Sequence, residues 1–229
     1  MSDVSILIVN WNTRDLLAVC LHSIAQTADD LCPEIIVVDN ASTDDSVRMV
    51  RKQFPQVRVI ENVANDGFAR ANNQAMALSH GRYMLLLNSD AVLTPGAPHA
   101  LLRLAESQPR AAIIGARLLN PDHSFQASHS PFPTLWQELL ILTSLGRRLY
   151  GRWYPSRGPE VEPGPQCVDY VEGACLFVRR EAWVEAGGSP APRSRYEGKS
   201  SPASTIPAVQ AQCATTSPSD PRSSRRRCR

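Results

Sequence analysis

Four short polar stretches each follow an apolar run, and each carries Asn or Asp. They are Asn10-Trp11-Asn12, Asp39 through Asp44, Asn65 through Asn73, and Asn88-Ser89-Asp90. The last is the sharpest. In Tyr83–Pro95 (YMLLLNSDAVLTP) an uninterrupted apolar run ends in an amide, a hydroxyl and a carboxylate. A carboxylate placed there can ligate a hard cation, and the cation can in turn hold a diphosphate. Taken singly, each stretch also reads as a turn or a helix cap, the ordinary use of Asn, Asp and Ser. Neither GxGxxG nor GxxxxGK[ST] occurs, so a glycine-rich phosphate cradle is not indicated. The set suggests a metal-held diphosphate beside a hydrogen-bonded base or sugar.

The elements that position these residues can be read from periodicity. Val4–Val9 (VSILIV) and Glu34–Asp39 (EIIVVD) are apolar runs of the kind buried on both faces of a parallel sheet. Val57–Glu61 is a shorter third strand, and Tyr83–Leu87 is the fourth. Helices are expected between them, over Thr13–Gln26, Asp45–Phe54, and a stretch carrying Ala71, Ala75 and Leu78. Strand and helix alternate four times with short connections, which implies α/β architecture with a mostly parallel sheet and right-handed crossovers. In such a sheet the loops after the strands converge on one rim, where ligands bind.

Farther along, Thr94-Pro95-Gly96 opens a helix through Ala105, with Pro at or near its first position. Ala111–Leu119 reads as a strand and Pro121–Pro133 as a loop. Leu135–Tyr150 reads as one amphipathic helix with Trp136, Leu139, Leu140 and Leu142 on its apolar side. Its basic end, Arg147-Arg148, can rest on a membrane surface or serve as a solvated C-terminal cap. Tyr154–Gln166 is rich in Pro and Gly and reads as a loop. Tyr170–Arg179 is a strand interrupted at Gly173-Ala174, and Glu181–Ala186 is a short helix ended by Gly187-Gly188.

The 229 residues carry a net charge of +2, but its sources are segregated. Residues 189–229 hold eight Lys/Arg and two Asp/Glu, which leaves 16 positive and 20 negative residues in 1–188. An acidic body argues against a nucleic-acid binder. Nine Ser, six Pro and seven Arg crowd the last 41 residues, with little apolar periodicity. A low-complexity, disordered tail is therefore expected over 189–229, following one domain over 1–188. The six cysteines are scattered without short pairings, which suggests neither a zinc site nor a disulfide framework and fits a reducing cytoplasm. No apolar stretch is long enough to span a bilayer, and the first strand begins too early to leave room for a signal peptide.

The ordered set VSILIVNWN (Val4–Asn12), IIVVDNASTDDS (Ile35–Ser46), NDGFARANNQA (Asn65–Ala75), LLLNSDAVL (Leu85–Leu93), GARLLNPD (Gly115–Asp122) and VEGACLFVRREAW (Val171–Trp183) resembles the family 2 glycosyltransferases. These are the inverting GT-A type, and the likeness is to their rhamnosyltransferase-like branch. It covers almost all of residues 4–188. The resemblance implies a Rossmann-like GT-A fold and transfer of a sugar, rhamnose in this branch, from a nucleotide diphosphate (dTDP, UDP or GDP). The acceptor would be a glycan or a lipid-linked sugar. Such an enzyme would work in the cytoplasm, at the inner face of the cell membrane where its acceptor is lipid-linked.

The resemblance also assigns residues. Asn10 and Asn12 would border the nucleotide, and Asp39 would hydrogen-bond its base. Asn40, Ser42 and Asp44 would shape that loop, with Asp44 equally readable as a helix cap. Gly67 would allow close backbone approach. Asn72 and Asn73 would look toward the donor, although either can be an ordinary helix-surface residue. Asp90 matches the last Asp of the DxD-like motif and would bind Mg²⁺ or Mn²⁺, with Asn88 standing where that motif has its first Asp. Glu172, Gly173 and Ala174 would line the acceptor side.

One departure stands out. After the Gly-Gly pair the family continues into an aromatic and acidic segment that supplies the general base, but this chain turns to Ser189-Pro190-Ala191-Pro192. The catalytic carboxylate is therefore expected to be missing, and residues 189–229 read as the product of a shifted frame. The other two frames of the gene test this: the idea fails if neither encodes the aromatic and acidic segment. The alternative activity is nucleotide binding without turnover.

Overall fold

A computed structural model describes residues 3–130, 134–143, 145–150, 164–171, 173–189 and 208–211. The β-branched run Val4–Asn10 forms β1, flanked in space by β2 (Glu34–Asp39) and β4 (Tyr83–Asn88), both parallel to it. Outside β2 lies β3 (Arg58–Glu61), again parallel. Between these strands the chain forms α1 (Arg14–Thr27), α2 (Ser46–Gln53) and α3 (Phe68–Leu78). The remaining long elements are α4 (Ala97–Ser107), β5 (Ile113–Ala116), β11 (Cys175–Arg179) and α7 (Arg180–Glu185).

Alternation within each strand sorts the core into two layers. Ile6 and Ile8 of β1, with Leu85, Leu87 and Phe177, pack under Leu17, Leu21 and Ile24 of α1, Val50 of α2 and Leu101 of α4. Leu7, Ile36, Val38, Met84 and Leu86 face the other way, onto Ala71, Ala75 and Met76 of α3. The result is a helix–sheet–helix sandwich, as the alternating pattern predicts.

Among the described residues the main sheet has eight strands in the order β3-β2-β1-β4-β11-β5-β12-β9, where β9 is Gln166–Val168 and β12 is Ala208–Ala211. β11 runs antiparallel to both β4 and β5. Arg179 closes its end. Its guanidinium donates to the carbonyls of Ala105, Gln108 and Ala111 and to the Tyr83 hydroxyl, while Tyr83 stacks on Phe177 at 5.2 Å.

Several expectations are corrected. The first helical turn after Pro95 is entered through Gly96 at φ 81°, so it is Pro98, not Pro95, that occupies the first turn of α4. The strand expected over Ala111–Leu119 divides into β5 and β6 (Leu118–Leu119). The loop expected over Pro121–Pro133 contains β7 (Phe125–Gln126), paired with β6, and β8 (His129–Ser130), paired with β10 (Tyr170–Val171). The helix expected over Leu135–Tyr150 is two helices, α5 (Leu135–Leu142) and α6 (Leu145–Tyr150). Of its four apolar positions only Leu140 is buried; Trp136, Leu139 and Leu142 face solvent. Cys32 is disulfide-bonded, which the scattered spacing did not suggest. Most of the loop Tyr154–Gln166 lies outside the described residues, as does most of 189–229, within which Ala208–Ala211 form β12.

Candidate functional site

The parallel strands end level with one another. Asn10 is in register with Asp39, Val9 with Asn88, and Asp39 with Glu61. Strand order therefore fixes the rim: the β3 and β2 loops on one flank, the β1 and β4 loops at the centre, and the start of β11 on the other flank. From β1 the chain proceeds to β2 on one flank and from β4 to β5 on the other, and open α/β sheets bind ligands where strand order reverses in this way.

The β1 and β2 loops are locked by short polar bonds. Asn10 is fully buried; its amide donates to Asp39 Oδ1 at 2.7 Å and Ser42 Oγ at 3.1 Å, and its Oδ1 accepts from Thr13 Oγ1 at 2.7 Å. Thr13 in turn is 2.8 Å from Ser89 Oγ, which ties this loop to the β4 loop. Asp39 Oδ2 accepts from the Ser42 amide at 2.8 Å. Each of its oxygens keeps a second acceptor site. Asn12, in left-handed backbone at φ 53°, accepts from the Thr43 amide at 2.8 Å, and its own N–H donates to Ser42 Oγ at 2.9 Å. Asn40 is buried, donating to the Gly67 carbonyl at 3.5 Å and accepting from Asn62 Nδ2 at 2.8 Å.

Asp44 serves as a double cap. It accepts from the first amides of α1 and α2, Arg14 at 2.8 Å and Ser46 at 3.1 Å, and from Ser46 Oγ. Burial opposes its ionisation, but the Ser46 and backbone hydrogen bonds outweigh it and hold the carboxyl below its ordinary range.

Above these loops opens a cleft of about 690 Å³ lined by Asp39, Ser42, Thr43, Glu61 and Asn62 and by the cations Arg48, Arg51 and Lys52 of α2. Sequence reasoning missed Asn62 and the α2 cations. Asn62 directly follows β3, so the rule that found the other three loops would have found it too.

A second cleft, of about 380 Å³, lies on the other flank. It is lined by Phe68, Asn88, Leu118, Gln126, Ala127, Gly173 and Ala174. A Cβ added at Gly173 would meet nothing within 4 Å, so its lack of a side chain leaves this floor open. The Asn88 amide donates to the Ala174 carbonyl at 3.0 Å, joining the β4 loop to the start of β11. Glu172 lies outside the described residues. Gly67 begins α3 at φ 81° and ψ 164°, a conformation essentially confined to glycine. Asn72 is buried and donates to the Phe68 carbonyl at 3.0 Å, while Asn73 is exposed on α3; neither lines either cleft.

Asp90 lies between the two clefts, exposed and without a hydrogen bond or ion pair among the described residues. Its charge is felt beneath it. Burial first, and then Asp90, push the Cys20 thiol up to about 12, and the protonated Sγ reaches the Asn88 carbonyl at 3.7 Å. No group of three or more His, Cys, Asp or Glu capable of holding a metal occurs among the described residues. A lone carboxylate nevertheless suits a hard cation shared with phosphate oxygens and water, which needs no all-protein cage.

Comparison with known proteins follows this geometry. The sequence profile of "Glycosyl transferase family 2" matches residues 5–162. The N-acetylglucosaminyl-diphospho-decaprenol L-rhamnosyltransferase of Mycobacterium tuberculosis is 28% identical over 172 residues, which is 67% of this chain and 54% of the relative. The chain thus spans about half the length of that relative. Among solved structures, the mannosyltransferase PcManGT from Pyrobaculum calidifontis, in complex with GDP-Man and Mn²⁺, superposes with a TM-score of 0.56 at 17% identity. That match covers 81% of this chain and 47% of the other. Residues 1–349 of S. aureus TarS give a TM-score of 0.55 at 17% identity, over 80% of this chain and 48% of that one. The two structures share the GT-A-like fold, and the sequence match carries the kinship: the chain belongs to glycosyl transferase family 2.

Proposed function

We propose that the chain takes a sugar from a nucleotide-diphosphate donor, dTDP-, UDP- or GDP-linked, to a glycan or lipid-linked acceptor with inversion. One observation carries this reading. Level strand ends leave Asp90, a carboxylate with no hydrogen bond or ion pair among the described residues, just past β4, which lies in the sheet between the β2 side of a polar cleft and the β11 side of a second cleft floored by Gly173. The nucleotide occupies the first cleft, where Asp39, held by Asn10 and Ser42, offers acceptor sites to N–H groups of the base. Asn12, Asn40 and Asp44 keep that loop in shape, and Gly67 sets the start of α3. Asp90, with Asn88 beside it, would hold Mg²⁺ or Mn²⁺, which when bound would supply positive charge to neutralise the departing diphosphate. The acceptor enters over Gly173 and Ala174. Rhamnose is the sugar named for the M. tuberculosis relative, and PcManGT was solved with a nucleotide sugar and Mn²⁺.

Inversion needs a base to take the acceptor hydroxyl's proton as it attacks. The sequence past Gly188 departs from the family pattern that carries it, which favours a second reading: a domain that binds nucleotide but does not turn over. Thermal unfolding with UDP, dTDP and GDP, each with and without Mn²⁺, tests the shared part. At least one nucleotide should raise Tm in a Mn²⁺-dependent way; if none does, both readings fall. Release of free nucleotide from the matching donor sugar then separates transferase from binder.

A further inference from the structure

We propose that the solvent-facing apolar surface of α5 and α6 docks on an anionic lipid bilayer and brings the second cleft to that surface. Leu135, Leu139 and Leu142 are spaced i, i+4, i+7 with Trp136 beside them, so they form one stripe along α5. That stripe points outward: Leu135 is 93% exposed, Leu142 81% and Trp136 62%. Only Leu140 of α5 turns into the body. In α6, which packs beside α5, Leu145, Leu149 and Tyr150 are exposed as well. A helix ordinarily buries such a stripe, and a patch of this kind marks an interaction site.

The chemistry favours lipid over protein. Trp136 lies in the first turn of α5 and Tyr150 is the last residue of α6, and such amphipathic rings suit the headgroup boundary. Glu138, Arg147 and Arg148 are the charges of the two helices, and the basic pair sits at one end. That local positive end contrasts with the −4 of residues 1–188 and matches an anionic surface. With eight and six residues, α5 and α6 are too short to span a bilayer, so docking would be at its surface.

Position ties the surface to the site. Cleft residues Gln126 and Ala127 run directly into β8, and a short stretch then leads to Leu135. β8 pairs with β10, whose Val171 is followed closely by Gly173 of the cleft floor. Docking there would place the acceptor entrance beside the bilayer. This last step rests on the transferase reading and selects its lipid-linked acceptor; docking itself does not depend on it.

Sedimentation of the full chain with phosphatidylcholine vesicles, with and without phosphatidylglycerol, tests the proposal. Binding should be stronger with phosphatidylglycerol and weakened by salt. The double change Trp136→Glu/Leu139→Glu should reduce it by about tenfold or more, while Tm and Mn²⁺-dependent nucleotide stabilisation stay unchanged because both side chains are exposed. Absence of vesicle binding overturns the proposal, as does equal binding by the variant. A concentration-dependent dimer that the variant abolishes would assign the surface to a second copy. A monomer that ignores vesicles would assign it to the chain's own remaining segments. Vesicle binding without nucleotide stabilisation sinks the transferase reading and leaves docking standing.

Discussion

Asp39 and Asp90 both follow a buried strand, yet their surroundings divide them. Asp39 is buried with both oxygens bonded, and its partner Asn10 bonds three side chains at once. Asn10→Ala should therefore destabilise the fold by about 2–3 kcal/mol, since it strands buried groups; urea unfolding measures this. Asp90 makes no such bond, so Asp90→Ala should leave the unliganded Tm unchanged and abolish the Mn²⁺-dependent nucleotide shift. A retained shift would refute its metal role. Gly67→Ala should cost about 1–3 kcal/mol through its backbone alone, because the added Cβ finds open space. The sequence showed that both aspartates belong to the rim. It could not distinguish a wired carboxylate from a free one, because that depends on whether the Asn10 side chain and the Ser42 backbone N–H reach the carboxylate, which only the folded loops decide.

At the scale of elements, apolar runs and their breaks placed β1, β2 and β4 to within a residue, because burial on both faces leaves little choice of residue type. The C-terminal elements were less legible. The stripe on α5 is plain in the sequence, but periodicity cannot say whether such a stripe faces core or solvent. The strand at Tyr170–Arg179 was visible, but not its direction, and direction is what brings Gly173 to the rim. Arg179→Met should cost about 2–3 kcal/mol, as it releases three carbonyls and the Tyr83 hydroxyl from a charged donor. Glu34 joins the start of β2 to β1 through Ser5 Oγ at 2.6 Å, and to the turn before β4 through His80 N at 2.8 Å. Burial raises its pKa, but the bonds from Ser5 and His80 prevail and hold it below the ordinary value. A lowered folded value contributes stability above the unfolded pKa that is lost as pH falls through the folded one. Glu34→Gln should accordingly flatten the acid side of the stability profile while leaving its alkaline side unchanged in slope.

Taken whole, the proposed nucleotide cleft rests on loops already locked by side chains, so little ordering remains to oppose binding. The right nucleotide with Mn²⁺, at about a hundredfold over its Kd, should stabilise by about 2.7 kcal/mol. At this chain length that corresponds to a rise in Tm of about 5–10 °C; a shift independent of nucleotide identity would speak against a shaped base site. The hydrogen bond from the Asn88 amide to the Ala174 carbonyl has a separate consequence. It makes the floor of the second cleft a continuation of the strand ladder that carries the β4 loop. The offset between the β4 loop, which carries Asp90, and that floor is then one interstrand spacing, about 4.8 Å, a constant of the peptide backbone. Exchanging side chains along either wall can change which molecules meet there, but their separation is inherited by every sequence that keeps the sheet.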